Sequence, residues 1–183
     1  MTHVTRREGL AYIGTAVSAV TLGASASNAA TEVAAAFDES NINWATAEGF
    51  DHVWYHVLNV DRDLNVVDIL FKFGANAKIL LHKHHADYST FIIQGELRIY
   101  DADGVLTEIR PTASYVQRAG GGAPHTEGGG DIDCIAWFSN KVTNGMIYEF
   151  ITPDGDTIAT LGMDEVEALM QAQEPGVQPI VPG

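Results

Sequence analysis

His82 and His84 stand two residues apart in the run LHKHHADYSTFIIQG (Leu81–Gly95). On a β-strand, residues i and i+2 leave the same face, so two imidazoles converge on one point without a special loop. A third histidine, His125, lies in GGAPHTEGG. Neutral imidazole is a ligand for Fe(II), Zn, Cu, Ni and Mn. A pair on one strand joined by one residue from a later strand builds an inward-facing metal site, and packing alone does not account for three histidines so spaced. Glu127 shares the strand parity of His125, which makes it a candidate hydrogen-bond partner or base; the other reading is a solvated carboxylate in the loop TEGGGD. His85 breaks parity and is expected on the opposite face, at solvent or an interface. His52 and His56, in DHVWYHV, share a face and read as core or interface residues.

Other chemistries find little support. Cys134 is the only cysteine, so no disulfide forms within the chain, and its setting in IDCIAWF predicts a buried core thiol. No CxxC and no Ser-His-Asp or Cys-His set is visible. Gly120–Gly122 and Gly128–Gly130 flank His125 without opening a helix, which excludes a phosphate loop. They predict flexible or tightly turning backbone near the site.

The elements that must carry these residues are strands. From Asp51 the chain breaks into short runs such as LNVVDILFKF, STFIIQ, GELRIYDAD, DIDCIAWFS and MIYEFITPD. They are rich in Val, Ile, Phe and Tyr and punctuated by Gly, Asp and Asn. Val67, Ile69, Phe71 and Phe73 follow the alternation of a half-buried strand, and DADG (Asp101–Gly104) reads as a hairpin turn. Many short strands at regular spacing predict an all-β sandwich or barrel. Trp54, Trp137 and Phe138 are expected in its core. One later segment, MDEVEALMQAQ, puts Met163, Val166, Leu169 and Met170 on one helical stripe, with acidic residues in its first turn.

With these motifs in place, the chain resembles the cupins. The first cupin motif is HxH, three or four residues, Glu, six residues and Gly. Here His82-Lys83-His84 is followed by three residues, Tyr88, six residues and Gly95. The second motif has a histidine three residues after a glycine, as Gly122 and His125 stand. YVQRAGGGAPHTEGG, then MIYEFITPDGDTIATL and a C-terminal helix, is similar to cupins related to 2,4′-dihydroxyacetophenone dioxygenase and acetylacetone-cleaving dioxygenase. The resemblance implies an all-β fold, a single cupin barrel (double-stranded β-helix or jelly roll) over residues 51–162 with a short C-terminal helix. It implies one divalent metal, foremost Fe(II), with Zn, Mn, Ni and Cu as alternatives, held by His82, His84 and His125. The implied activity is a dioxygenase that uses O2 to cleave a C–C bond of a small dicarbonyl or hydroxyaryl ketone. Alternatives are a cupin that binds metal or ligand without turnover, and a cupin isomerase or lyase. Tyr88 occupies the usual Glu slot. It is a candidate fourth ligand, a hydrogen-bond donor to a bound oxygen, or an ordinary barrel aromatic. Tyr88 and Glu127 are the catalytic candidates.

Residues 1–29 read as an export signal: TRREGL resembles a twin-arginine motif, and an apolar stretch and small residues follow. Delivery to the periplasm or the extracellular space is expected, the alternative being a cytoplasmic protein; the apolar run is too short for a stable anchor, so no membrane insertion is expected after processing. Residues 30–50 are a connector whose AATEVAAAFDES is a candidate helix, and residues 163–183 are the helix and a Pro/Gly-rich tail. The 10 Lys and Arg stand against 24 Asp and Glu, a net charge of −14. Nucleic acid, which demands clustered cations, is excluded as a partner. The expected partners are a small-molecule substrate and O2, and a second copy of the chain in a homodimer.

Overall fold

The computed structural model describes residues 37–176. The signal at 1–29, most of the candidate helix in AATEVAAAFDES and the last residues of the tail lie outside the described residues. The described chain forms β1 (Val53–Asp61), β2 (Val66–Phe73), β3 (His82–His84), β4 (Asp87–Gln94), β5 (Glu96–Asp101), β6 (Leu106–Pro111), β7 (Tyr115–Arg118), β8 (His125–Gly129), β9 (Cys134–Lys141), β10 (Met146–Ile151), β11 (Thr157–Gly162) and α1 (Met163–Ala172).

Two antiparallel sheets face each other, one in the order β1-β2-β9-β4-β7 and the other β11-β10-β3-β8-β5-β6. The period-two alternation decides which residues meet between them. Val67, Ile69 and Phe73 of β2 and Phe138 of β9 are buried. Ile92, Leu97 and Ile147 are fully buried as well. Each such side chain contributes about 1.5–3 kcal/mol by leaving water. The first motif ends at Gly95, where φ is +70° and an added Cβ would lie 2.7 Å from the Asp133 carbonyl oxygen. Only glycine takes that turn from β4 into β5 without strain.

Several expectations change. The apolar run before the histidine pair is not a strand until His82, and residues 75–81 instead lie irregularly along β8. Ile79 N–H donates to the Glu127 carbonyl at 2.9 Å and Asn76 N–H to the Gly130 carbonyl at 2.8 Å. The glycines after His125 are not a flexible mouth. Gly128 and Gly129 lie inside β8, and a Cβ on Gly128 would stand 1.8 Å from the Ala77 carbonyl oxygen. Glycine is needed there for close backbone approach. Glu127 is therefore a strand residue and not a solvated loop carboxylate. Trp54 and Trp137 are only half-buried, whereas Phe138 is core. His52 precedes β1, exposed and at φ +64°, so it does not share a strand face with His56. His56 is buried, with Nδ1 3.0 Å from the Asn43 carbonyl oxygen.

The helix forms as its stripe requires. Met163 and Val166 are buried and Leu169 packs against the core, while Met170 lies beyond the stripe and is exposed. Gly162 N–H donates to Glu165 Oε2 at 2.9 Å, satisfying one free donor at the helix start. At the far end the Gln173 side chain is bonded twice to β1. Its Oε1 accepts from Val57 N–H at 2.9 Å and its Nε2 donates to the Val57 carbonyl at 2.8 Å. Among the described residues no helix is long and apolar enough to cross a membrane.

Candidate metal centre

β3 has only three residues, but it is held on both sides. Its His84 pairs with Tyr148 and its His82 with Phe150 of β10, while His82 faces His125 of β8. Parity sends His82 and His84 inward and Lys83 outward. The same alternation on β8 sends His125 and Glu127 to one side. Histidine Nδ1 or Nε2 and carboxylate atoms of His82, His84, His125 and Glu127 all lie within 4.8 Å of one another.

The imidazoles are oriented by the backbone. His82 Nδ1 is 3.0 Å from the Leu80 carbonyl oxygen and His125 Nδ1 is 3.2 Å from that of Ala123. A carbonyl only accepts, so Nδ1 carries the proton in both rings and Nε2 presents a lone pair. The His82 and His84 Nε2 atoms are 3.1 Å apart. Two nitrogens each about 2.1 Å from an ion, at right angles to each other, stand about 3.0 Å apart. His125 Nε2 and Glu127 Oε1 are 3.5 Å apart, and both are buried without a hydrogen-bond partner. Such atoms are costly unless a further group satisfies them. The donor set and its orphaned atoms fit a divalent cation.

The electrostatics agree. Burial pushes the His82 imidazolium below its ordinary pKa, although the Glu127 carboxylate opposes this. His84 goes well below, through burial and then the neighbouring His82. Both rings are thus kept neutral, as ligation requires. Burial also pulls on His125, but Glu127 outweighs it and raises this ring. Burial alone would raise the Glu127 carboxyl; the imidazoles of His125, His82 and His84 prevail and hold it at about 2.

Aromatic rings fix His84. Tyr88 lies against it with ring centroids 4.1 Å apart, and Tyr148 meets it edge-on at 4.9 Å. The Tyr148 hydroxyl donates to Asn140 Oδ1 at 3.2 Å. Burial raises the Tyr88 hydroxyl above its ordinary pKa, Glu127 adds to the rise and Arg110 opposes it. Arg110 is itself buried, and donates to Glu108 Oε1 at 2.9 Å and Thr90 Oγ1 at 3.2 Å. Tyr88 thus packs directly behind a candidate ligand. Sequence spacing found the three histidines and Glu127. It missed Tyr148 and Arg110, which belong to no motif; only the inward parity of Tyr148 on its strand marked it.

His82 and Glu127 are also among the residues that line a cavity of about 220 Å3 between the sheets. The remaining walls are mainly apolar and include Phe50, Phe71, Phe73, Phe138, Phe150 and Leu169. Among the described residues the remaining histidines lie elsewhere. His85 is half-buried on the outer face with Nε2 3.0 Å from Glu149 Oε2, as its parity predicts. His52 and His56 are not part of the cluster.

No family model matches the sequence, and no curated protein matches it. Solved structures do. An acetylacetone dioxygenase from Acinetobacter johnsonii superposes with a TM-score of 0.58 at 19% identity, over 72% of this chain and 87% of that one. An RmlC-like cupin protein from Ralstonia eutropha gives 0.58 at 16% identity, over 70% and 78%. A protein of unknown function with a cupin-like fold, also from Ralstonia eutropha, gives 0.54 at 15% identity, over 72% and 83%. The chain has the cupin fold. Within this fold the HxH pair stands on β3 and His125 on β8, and the adjacent pairing His82–His125 brings the two stretches together. At these identities the likeness establishes the fold alone, so chemistry has to be argued from the site.

Proposed function

We propose that this cupin is a metal-dependent dioxygenase that uses O2 to cleave a C–C bond of a small dicarbonyl or hydroxyaryl ketone. His82, His84 and His125 hold one divalent metal, foremost Fe(II), and Glu127 stands at the same centre. The observation that carries the reading is the convergence of three imidazoles and a buried carboxylate within 4.8 Å, two of which, His82 and Glu127, line a mainly apolar cavity. A resident Fe(II) supplies Lewis acidity and redox access to O2. The chain's own residues do the rest. His82 and His125 keep their Nε2 lone pairs aimed inward because Leu80 and Ala123 hold their Nδ1 protons. Glu127, ionised and buried, presents Oε1, which lacks a hydrogen-bond partner, to the centre; held at about 2 it is a weak base, and its part is to balance the charge of the metal. Tyr88 and Tyr148 keep His84 from turning, and the apolar walls exclude water.

The test is anaerobic purification without added metal or a histidine tag, metal analysis, and oxygen-electrode assays with β-diketones and hydroxyaryl ketones. Oxygen consumption that scales with iron content is expected. Fully iron-loaded protein that consumes no oxygen across the panel would rule the dioxygenase out. Residues 1–29 are proposed to direct export, which the mass of the protein recovered from a periplasmic fraction would test.

A further inference from the structure

The parity that sends Ile69 and Phe138 inward sends every second side chain of their sheet outward, and three aromatic rings share one row there. Trp137 on β9 stands opposite Phe91 on β4, and Phe91 opposite Tyr115 on β7. Two residues along each strand, on the same face, a polar side chain accompanies each ring: Ser139, Ser89 and Gln117. Part of this outer face is covered by the chain itself. Phe37 N–H donates to Gln94 Oε1, Lys72 pairs with Glu39 and His56 lies against Asn43, and the outward Leu70 and Ile135 are buried. Phe91 and Tyr115 are instead left 40% and 56% exposed. A groove of about 410 Å3 borders their row, with Ser89, Gln117, Ser139, Arg118, Lys141 and Asp87 in its walls. Ser89 Oγ accepts from the Tyr115 hydroxyl at 3.2 Å and from Gln117 Nε2 at 3.3 Å, so its own O–H remains to donate to a ligand. Arg118 is paired with Glu108 at 3.3 Å, and Lys141 stands opposite Asp87 across the β4–β9 ladder, so the charges of the groove balance.

Exposed rings gathered on one face mark a contact surface. A flat ring accepts the C–H face of a sugar as it accepts other apolar surface, and the sugar's hydroxyls stay free for polar neighbours. Adjacent strands stand about 4.8 Å apart, close to the advance of one sugar along an extended chain, so three strands offer three rings to consecutive sugars. Nucleobases would stack on the same row, but their phosphates would meet a chain of net charge −14. A groove whose charges balance suits a ligand that is uncharged and rich in hydroxyls. We infer that the outer face of β9, β4 and β7 binds an extended chain of neutral sugars, its rings on Trp137, Phe91 and Tyr115 and its hydroxyls on Ser139, Ser89 and Gln117. The site lies on the other side of the sheet from the metal centre and does not depend on it.

Native electrophoresis of the whole protein through gels containing hydroxyethylcellulose, xylan, galactomannan or polygalacturonate measures this directly. At least one of the three neutral polysaccharides should retard the protein, with metal or without it. F91A and Y115A, both at exposed positions, should each weaken binding at least about fivefold. F91Y keeps a ring and should bind as the wild type does. In calorimetry, the hexasaccharide of the retarding polymer should bind more tightly than its disaccharide, as a row of three rings requires. Migration unaffected by every neutral polysaccharide, or retardation by polygalacturonate alone, would overturn the inference. So would F91A and Y115A retarded as strongly as the wild type. If the row is instead covered by a second copy of the chain, F91A lowers the mass found by sedimentation equilibrium and no polysaccharide retards the wild type, and the inference fails.

Discussion

Replacing Glu127 by glutamine keeps the shape of the site and removes its buried charge. Oε2 of Glu127 is 3.9 Å from His82 Nε2, and Oε1 is 3.5 Å from His125 Nε2. A unit charge about 4 Å from an opposite one is worth ~4 kcal/mol at an effective dielectric of ~20. Against this stands a relief, because the neutral carboxamide of E127Q would not have to hold an ion out of water. His125 also loses the carboxylate that raises its pKa, so less of it is protonated and competing with the metal. The net expectation is a roughly 10–100-fold loss of metal affinity, ~1.4–2.7 kcal/mol. Competition against a chromophoric chelator at about pH 7.5 reads this directly. Below neutral pH the wild-type protein should release more protons on binding metal than E127Q does. Unchanged or tighter metal binding in E127Q, with an unaltered circular dichroism spectrum, would refute the role assigned to the carboxylate.

H82A, H84A and H125A should each lower metal content at least about tenfold, with H85A at wild-type content, as measured by elemental analysis; loss in H85A and retention in H84A would invert the strand register. In metal-free protein the depressed pKa of Glu127 stabilises the fold above its ordinary value of 4.5, and that stability is lost as pH falls towards about 2. The lowered His82 and His84 add stability present above 6.5 and lost as pH falls below it, whereas the raised His125 contributes below 6.5 and loses its contribution as pH rises. Urea midpoints should therefore drop on acidification, and the difference between wild type and E127Q should shrink as pH falls from 4.5 towards about 2. G128A forces backbone apart at Ala77 and should destabilise by ~3 kcal/mol or more in urea unfolding, with metal content lost in parallel; a change under about 1 kcal/mol contradicts the close approach. Burial pushes the Cys134 thiol up to about 12, so alkylation at mildly alkaline pH should run ~1000-fold slower in native than in unfolded protein.

What could be read from the sequence was whatever strand parity and spacing control. His82, His84, His125 and Glu127 follow from a period of two, and so does the outward His85. The helix followed from its apolar stripe, up to Met170. What escaped was set by other chains of contact. β8 has weak strand propensity, since HTEGG offers little to pack; it forms because β5 and residues 75–81 satisfy its backbone, and glycine is what lets them approach. The half-buried Trp54 and Trp137 looked like core because a two-residue period gives the face but not which face is inner. The role of Tyr88 depends on its ring distance to His84, which no motif encodes.

The double bond from Gln173 to Val57 reaches beyond the helix it anchors. Among the described residues β1 is the outermost strand of its sheet, and a bare strand edge is a template on which another chain can grow. Ala45 pairs with Tyr55 at one point of that edge, and two residues on, the Gln173 carboxamide, donor and acceptor side by side, impersonates a further residue of the missing neighbour at Val57. Cutting the chain ahead of Gln173 would do more than loosen a helix: it would leave the Val57 stretch of that margin open with only Ala45 still covering Tyr55, and the symptom to watch for would be association of copies rather than loss of fold.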